Sequence, residues 1–495
     1  MYTESTSHVD EGVGADQVDL KNADNSLGSD SDEGLNTDST DDDYIGPWRV
    51  PRSLHGSLPL DLSDRIPLEI IESIIDCMVQ AALVPTAQVC RAWYPRARHN
   101  LYSTIRLQSR RCYDLLVQQV RTSPRVKQRL ATTDGLIVTH FIERKGDNIP
   151  FLDALPLVFA DALPALRVLS IEGALRPVMH PSFYLGLLQF KHIVSLRLSA
   201  VELSNITQLE RIIFACPHVA ELGLDRVTLV SGATPVRWGS SRPAHTRSRI
   251  ASTTSLRRLD FKLSLSSGSL LASVSIVDWL VSSAICTSLR DLEWAVRGPM
   301  GAIGHMKHGA FNAQLDRLLE TTGTSLSSFE EQWPGLSVGS VIVPNLVHNR
   351  ALRYWTFTVN INRDQLEDGW SAVATHLRML LSTVRSYKLQ CITIRLGAII
   401  RNEQPALPNT KELSPPQERF VSRTQLRRLH NVMVQPYFGA LTAVHVAHPV
   451  FYHEGTRCKG NPRDAENIRT DVQQLLGPWH DRGLVKFSHM PDPYV

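Results

Sequence analysis

Ala165-Leu166-Arg167-Val168-Leu169, Ser255-Leu256-Arg257-Arg258-Leu259, Ser288-Leu289-Arg290-Asp291-Leu292 and Ala351-Leu352-Arg353-Tyr354-Trp355 are four copies of one phrase, [Ala/Ser]-Leu-Arg-x-[Leu/Trp]. Composition alone would produce it roughly 0.1 times in a chain of this length, so it marks an internal repeat. Looser copies fall between and after: Ile193/Leu196/Leu198, Val219/Leu222/Leu224, Leu326/Phe329, Leu389/Ile392/Ile394, Leu441/Val444/Val446 and Leu484/Phe487. The phrases are short and β-rich, as in Cys391-Ile392-Thr393-Ile394-Arg395-Leu396. Between some of them apolar residues return at helical spacing, as in Ile206 to Phe214 and Phe311 to Glu320. A lone strand and helix cannot bury their own apolar faces, whereas stacked neighbours can. The reading is an α/β chain over residues 125–495, with tandem strands in a curved parallel sheet, helices outside and a concave face open for binding.

The copies are irregularly spaced, and Cys216-Pro217-His218 leads into one of them, so the region resembles degenerate leucine-rich repeats rather than a strict array. Two insertions break the period and read as surface loops. Residues 231–254 hold Arg237, Arg242, Arg247 and Arg249 with no acid, and residues 402–419 are Pro-rich. The basic insertion reads as solvated; an acidic partner, nucleic acid or the chain's own acidic tail are its other possible contacts.

Composition bounds the rest. The chain has 495 residues, 43% apolar and 20% charged, with no apolar run long enough to span a membrane and no signal-peptide pattern in the opening residues. No membrane association is expected. Seven cysteines, an odd number without a C-x-x-C pair, argue against a disulfide framework or a cysteine zinc site and suggest reduced thiols in the cytosol or nucleus. The net charge of +3 is uneven: residues 1–46 hold thirteen acids and the single base Lys21, leaving 51 bases and 36 acids for the remainder. Such an acidic, Ser/Gly-rich segment buries too little apolar surface to offset the entropy of ordering it, and reads as a disordered tail. Gly28-Ser29-Asp30-Ser31-Asp32-Glu33 within it has the form of an acid-directed phosphorylation site.

Between tail and repeats, Leu62 to Leu107 has a helical pattern. Ile66, Ile70, Ile71, Ile74, Ile75 and Met78 alternate with polar residues at the spacing of an amphipathic helix, with Pro67 in its first turn. Leu83, Ala87, Val89, Cys90 and Trp93 suit a second helix starting at Pro85, and Pro95 starts a third through Leu101. Three short helices are marginal alone and need completion by a partner or by the following domain.

These residues resemble the F-box, of fungal type: Ile66-Pro67 before Glu69-Ile70-Ile71, then Leu83, then Val89-Cys90-Arg91-Ala92-Trp93, then Leu101-Tyr102-Ser103-Thr104-Ile105. The resemblance implies a three-helix F-box over residues 58–107. Ile66, Pro67, Ile70, Ile71, Leu83, Val89, Cys90 and Trp93 would meet the Skp adaptor and, through it, a cullin. The implied function is that of a non-catalytic substrate receptor of an SCF-type ubiquitin ligase, with the repeat domain holding the target protein. The alternative is a leucine-rich-repeat scaffold without a ligase role. Ile74, Ile75, Met78 and Ala87 read as core, and Cys90 as a small buried hydrophobe rather than a nucleophile.

Catalytic and metal chemistry find little support. Gly335-Leu336-Ser337-Val338-Gly339 matches the nucleophile pattern of hydrolases but lacks the strand-to-helix context that chemistry needs. His445, His448 and His453 near Glu454 have no metalloprotease spacing and no cysteine partners. No phosphate-binding loop is present, and no cofactor, metal or nucleic-acid partner is expected. Asn205-Ile206-Thr207 is a formal glycosylation sequon.

Overall fold

Every apolar-x-apolar phrase of the repeat becomes one strand of a parallel sheet. The computed structural model describes residues 65–139, 151–230, 255–264, 267–297, 308–332, 343–362, 366–399, 421–448, 452–453, 456–457 and 462–489. The tail 1–46 and both insertions, 231–254 and 402–419, lie outside the described residues, as do Ser337 and Glu454.

The sheet begins with β1 (Thr104–Leu107), β2 (Gly135–Thr139), β3 (Val168–Glu172) and β4 (Ser195–Ser199). After the short β5 (Glu202–Leu203) come β6 (Glu221–Asp225), the short β7 (Thr228–Leu229), β8 (Arg258–Ser264) and β9 (Asp291–Arg297). Next are β10 (Ser328–Gln332), β11 (Tyr354–Asn362), β12 (Cys391–Ile399) and β13 (Ala443–His448). The short pair β14 (Tyr452–His453) and β15 (Thr456–Arg457) precedes β16 (Val485–His489). Twelve strands lie side by side in the order β1-β2-β3-β4-β6-β8-β9-β10-β11-β12-β13-β16, every neighbouring pair parallel. Chain order equals spatial order, as a solenoid of tandem units requires, and the helices fall between successive strands.

Register confirms that the copies are equivalent. Leu169, Leu196, Leu222, Leu259 and Leu292 are successive cross-strand partners, and Ile171, Leu198, Leu224, Phe261 and Trp294 form the next row inward. All ten are 2% exposed or less. The alternate positions point away from this core: in β8, Arg258, Asp260, Lys262 and Ser264 are exposed or half-buried between buried Leu259, Phe261 and Leu263. One face of the sheet is therefore sealed by helices and the other is polar, unlike a parallel sheet covered on both sides. The helix Ile206–Phe214 supplies Leu209, Ile212 and Ile213 to the sealed side. The sequon residue Asn205 caps that helix, accepting a hydrogen bond from the Gln208 N–H at 3.1 Å.

One position upstream of each strand, the backbone forms a continuous ladder in which single carbonyls serve two N–H groups. The N–H groups of Arg290 and Asp291 donate to the Arg257 carbonyl, those of Ser327 and Ser328 to that of Arg290, and those of Arg353 and Tyr354 to that of Ser327. At the other strand ends, Gly173, Ala200 and Arg226 all adopt positive φ (65°, 50° and 51°). Each follows directly on β3, β4 or β6 and donates its N–H to the next strand, so three consecutive units share one left-handed turn.

Three expectations are corrected. The sheet starts at Thr104, inside the segment 58–107 read as a separate helical module, because the third helix (Tyr94–Ser103) runs straight into β1. The second helix starts at Gln80, and Pro85 lies within it; Gln80 holds this start by donating to the carbonyls of Leu101 and Thr104. The last copy is Val485/Phe487 rather than Leu484/Phe487: Val444 pairs with Val485 and Val446 with Phe487, and period-two alternation puts those two on the same face. Position 331 of β10 breaks the apolar rule, since Glu331 is buried opposite Trp294.

Candidate functional site

Two surfaces stand out, the helical unit ahead of the sheet and the sheet's polar face. The first helix, Leu68–Asp76, carries two apolar stripes. Ile71 and Ile75 turn inward, Ile75 being 1% exposed, while Ile70 and Ile74 are 53% and 52% exposed. Successive residues are about 100° apart on a helix, so its five apolar positions, Leu68, Ile70, Ile71, Ile74 and Ile75, span more than the contact with two neighbouring short helices can cover. The second helix, Gln80–Val89, turns Leu83 and Thr86 inward. The third turns Ala97 inward, and Trp93 stands at its N-cap.

Ile75, Leu83 and Ala97 form a small core separate from that of the sheet, with Ile71, Met78, Ala87, Trp93 and Leu101 packed around it. A polar clamp closes it. Arg96 grips the Asp76 carboxylate with two hydrogen bonds, one of 2.6 Å from Nε, and Asn100 adds a third at 2.8 Å. The Arg96 guanidinium and then the Asn100 amide hold the Asp76 carboxyl down at about 2.

Of the adaptor residues suggested by the sequence, the fold gathers Ile71, Leu83 and Trp93 around the small core, where Leu83 is buried. It leaves Pro67, Ile70, Val89 and Cys90 exposed and Ile66 half-buried. Cys90 and Ile74, read as buried, are both exposed. Cys90 sits at the C-cap of the second helix in extended conformation (φ −157°), which turns it off the helix face. Leu68, Val79 and Val84 were not singled out in the sequence and are 45%, 70% and 49% exposed. The available signal was an excess of apolar residues over what short helices can enclose. In total, seven large hydrophobic side chains between Leu68 and Tyr94 are at least 41% exposed.

The polar face of the sheet is a network of mixed charge. Lys262 Nζ lies 2.7 Å from Asp260 and 3.0 Å from Glu293 on the neighbouring strand. Partial burial pulls the Lys262 ammonium down, but the bonds to Asp260 and Glu293 outweigh it and hold the pKa above the ordinary lysine value. Arg395 reaches from β12 across β11 to Glu330 on β10 at 2.5 Å, and Gln332 donates to the same carboxylate at 2.6 Å. These bonds pin long side chains across adjacent strands, giving a pre-organised polar surface.

Among the described residues, no three His, Cys, Asp or Glu side chains are grouped as a metal site needs, and no helix is long and apolar enough to cross a membrane. Burial pushes the Cys216 and Cys286 thiols up to about 12, far from any nucleophilic form near neutral pH. No protein-family model matches the chain, and no curated protein matches it.

Proposed function

We propose that this chain is the substrate-recognition subunit of an SCF-type cullin ubiquitin ligase, with a leucine-rich-repeat solenoid joined to an F-box. The observation that carries the reading is the apolar surface left in water between Leu68 and Tyr94. Soluble proteins rarely concentrate large exposed hydrophobic side chains in this way without a partner. Ile70 and Val89, 53% and 60% exposed, are on that surface and also belong to the residues through which the sequence resembles the F-box. In this reading they enter the Skp adaptor in an apolar interface, and the sheet holds a target protein.

The chain's part in ubiquitin transfer is then positional. Holding a target beside the ubiquitin-charged enzyme raises the local concentration of its lysines, which needs a stiff connection and no reactive side chain. The direct passage of the helix Tyr94–Ser103 into β1 is such a connection. The complex would work in the cytosol or nucleus.

The test is co-purification of the full-length protein with the Skp adaptor and cullin, beside an Ile70→Asp/Val89→Asp variant. Both positions are exposed, so the variant folds normally, and placing carboxylates in an apolar interface abolishes capture. Equal capture of adaptor by both proteins refutes the reading. Capture by neither leaves a repeat-built binding scaffold without a ligase role.

A further inference from the structure

The repeated phrase [Ala/Ser]-Leu-Arg-x-[Leu/Trp] has a structural use for all but one of its defined positions. Leu256, Leu289 and Leu352 are at most 1% exposed and fill the core. The serine ties neighbouring units together: Ser288 Oγ donates to the Leu256 carbonyl at 3.0 Å, and Ser325, at the same position of the next unit, donates to the Leu289 carbonyl at 2.8 Å. The last apolar residue begins the buried row of the strand. The arginine has no such use. Arg257, Arg290 and Arg353 are exposed, and among the described residues their side chains have no ion-pair or hydrogen-bond partner. At Arg167, the copy far along the sheet, Asp134 stands 4.0 Å away as a counter-ion.

The backbone ladder sets these three cations in one line. Arg290 bonds directly to Arg257, then comes Ser327, then Arg353. With strands about 4.8 Å apart, Arg257 and Arg353 are separated by three intervals, roughly 14 Å. An extended chain rises about 3.3 Å per residue and crosses that distance in four or five residues. Three guanidinium groups, unpaired among the described residues, at the entry to β8, β9 and β11 form a line of anion-binding donors along one edge of the sheet.

We propose that this edge binds an acidic protein segment in extended form, its carboxylates meeting Arg257, Arg290 and Arg353. A nucleic acid fits less well. The cross-strand row immediately inside the arginines is Arg258, Asp291, Ser328 and Tyr354, and beyond it lies the acidic row Asp260, Glu293 and Glu330. Lys262 and Arg395 offset only part of this charge, and the remaining acid repels a polymer carrying a phosphate on every unit. A peptide places its carboxylates at chosen positions and leaves neutral residues beside that acidic row. Guanidinium forks matched to carboxylates supply the recognition. The inference does not need the adaptor and stands apart from the ligase reading.

The experiment is fluorescence anisotropy with the full-length protein and a labelled peptide of about ten alternating Asp and Ser residues. An Asn/Ser peptide and a single-stranded DNA of similar length are the comparison probes. The Asp/Ser peptide binds and the Asn/Ser peptide does not. Arg257→Ala/Arg290→Ala/Arg353→Ala together weaken binding about tenfold, since each exposed pair contributes only a few-fold. The variant Arg111→Ala/Arg125→Ala/Lys127→Ala removes the same charge from exposed sites elsewhere and changes binding less than about twofold. Equal weakening in the two variants, no weakening in the first, or tighter binding of the DNA through the same arginines overturns the proposal. All six positions are exposed, so thermal unfolding should match the parent chain.

Discussion

Ile75→Ala should melt the helical unit and leave the sheet standing. Ile75 is 1% exposed and centres a core whose other fully buried members are Leu83 and Ala97. Truncating a buried isoleucine to alanine costs about 2–5 kcal/mol, through lost transfer energy and the cavity left behind. A core with so few buried side chains rarely supplies more than about 3–5 kcal/mol, so this one change consumes most of the local stability. The sheet has its own separate core, running from Leu107 to Trp479, and Ile75 belongs to none of it. Hydrogen exchange read by mass spectrometry is the assay. Protection should collapse over Leu68–Ser103 and stay within error over β3 to β9. Uniform loss across both regions would show one cooperative unit, and unchanged protection would show that Ile75 is not the keystone of the small core; either refutes the reasoning. The same assay separates folding from binding: Ile70→Asp, at a position 53% exposed, should lose adaptor capture with protection intact. Trp93→Ala is a poorer probe, because Trp93 packs against the small core and its loss combines both effects.

Asp76 predicts an acid response confined to that unit. Its carboxyl pKa is held at about 2 by Arg96 and Asn100, below the unfolded value near 4, so its contribution is fully present above pH ~4 and is lost as pH falls through about 2. Exchange protection over Leu68–Ser103 should decline across that window, and Asp76→Asn should abolish the decline. At pH ~8 a thiol reagent should modify the exposed Cys77, Cys90 and Cys112 in the native protein but reach Cys216 and Cys286 only in denaturant, and peptide mapping would show otherwise if the sheet core breathes. Ala200 adopts φ 50°, so Ala200→Gly should raise stability by about 0.5–1 kcal/mol, and Gly173→Ala, at φ 65°, should lower it by a similar amount in thermal unfolding. Asn205→Ala should cost about 1 kcal/mol through the lost cap on the helix Ile206–Phe214.

Much of the sheet was legible because burial leaves a period in the chain. Leu256, Leu259 and Phe261 repeat as Leu289, Leu292 and Trp294, and the structure stacks them as adjacent rows, because a unit that cannot enclose its own apolar face must match its neighbour's. Where spacing was ambiguous, register decided: Leu484 and Val485 are both apolar and both half-buried, and only pairing with β13 puts Val485 in the row of Val444. The strands β1 and β2 were missed, since Thr104–Leu107 and Gly135–Thr139 lack the Leu-Arg phrase, although they pair with the sheet and give Leu107, Leu136 and Val138 to its core.

The candidate sites divide the same way. Sequence by itself determined that the chain holds a repeat of strands and helices, with a helical segment before it, because apolar periodicity is a property of local order. It also marked the arginine that recurs in four copies of the repeat. Tertiary structure alone decided which apolar residues of the helical segment are core and which are surface. Ile70 and Ile71 are adjacent and chemically identical, and a turn of about 100° puts Ile71 against the small core and leaves Ile70 in water. It likewise decided that Arg257, Arg290 and Arg353, up to 96 residues apart in the chain, stand along one edge. Parallel stacking converts a sequence period into a spatial line, and that line exists only once the strands are paired.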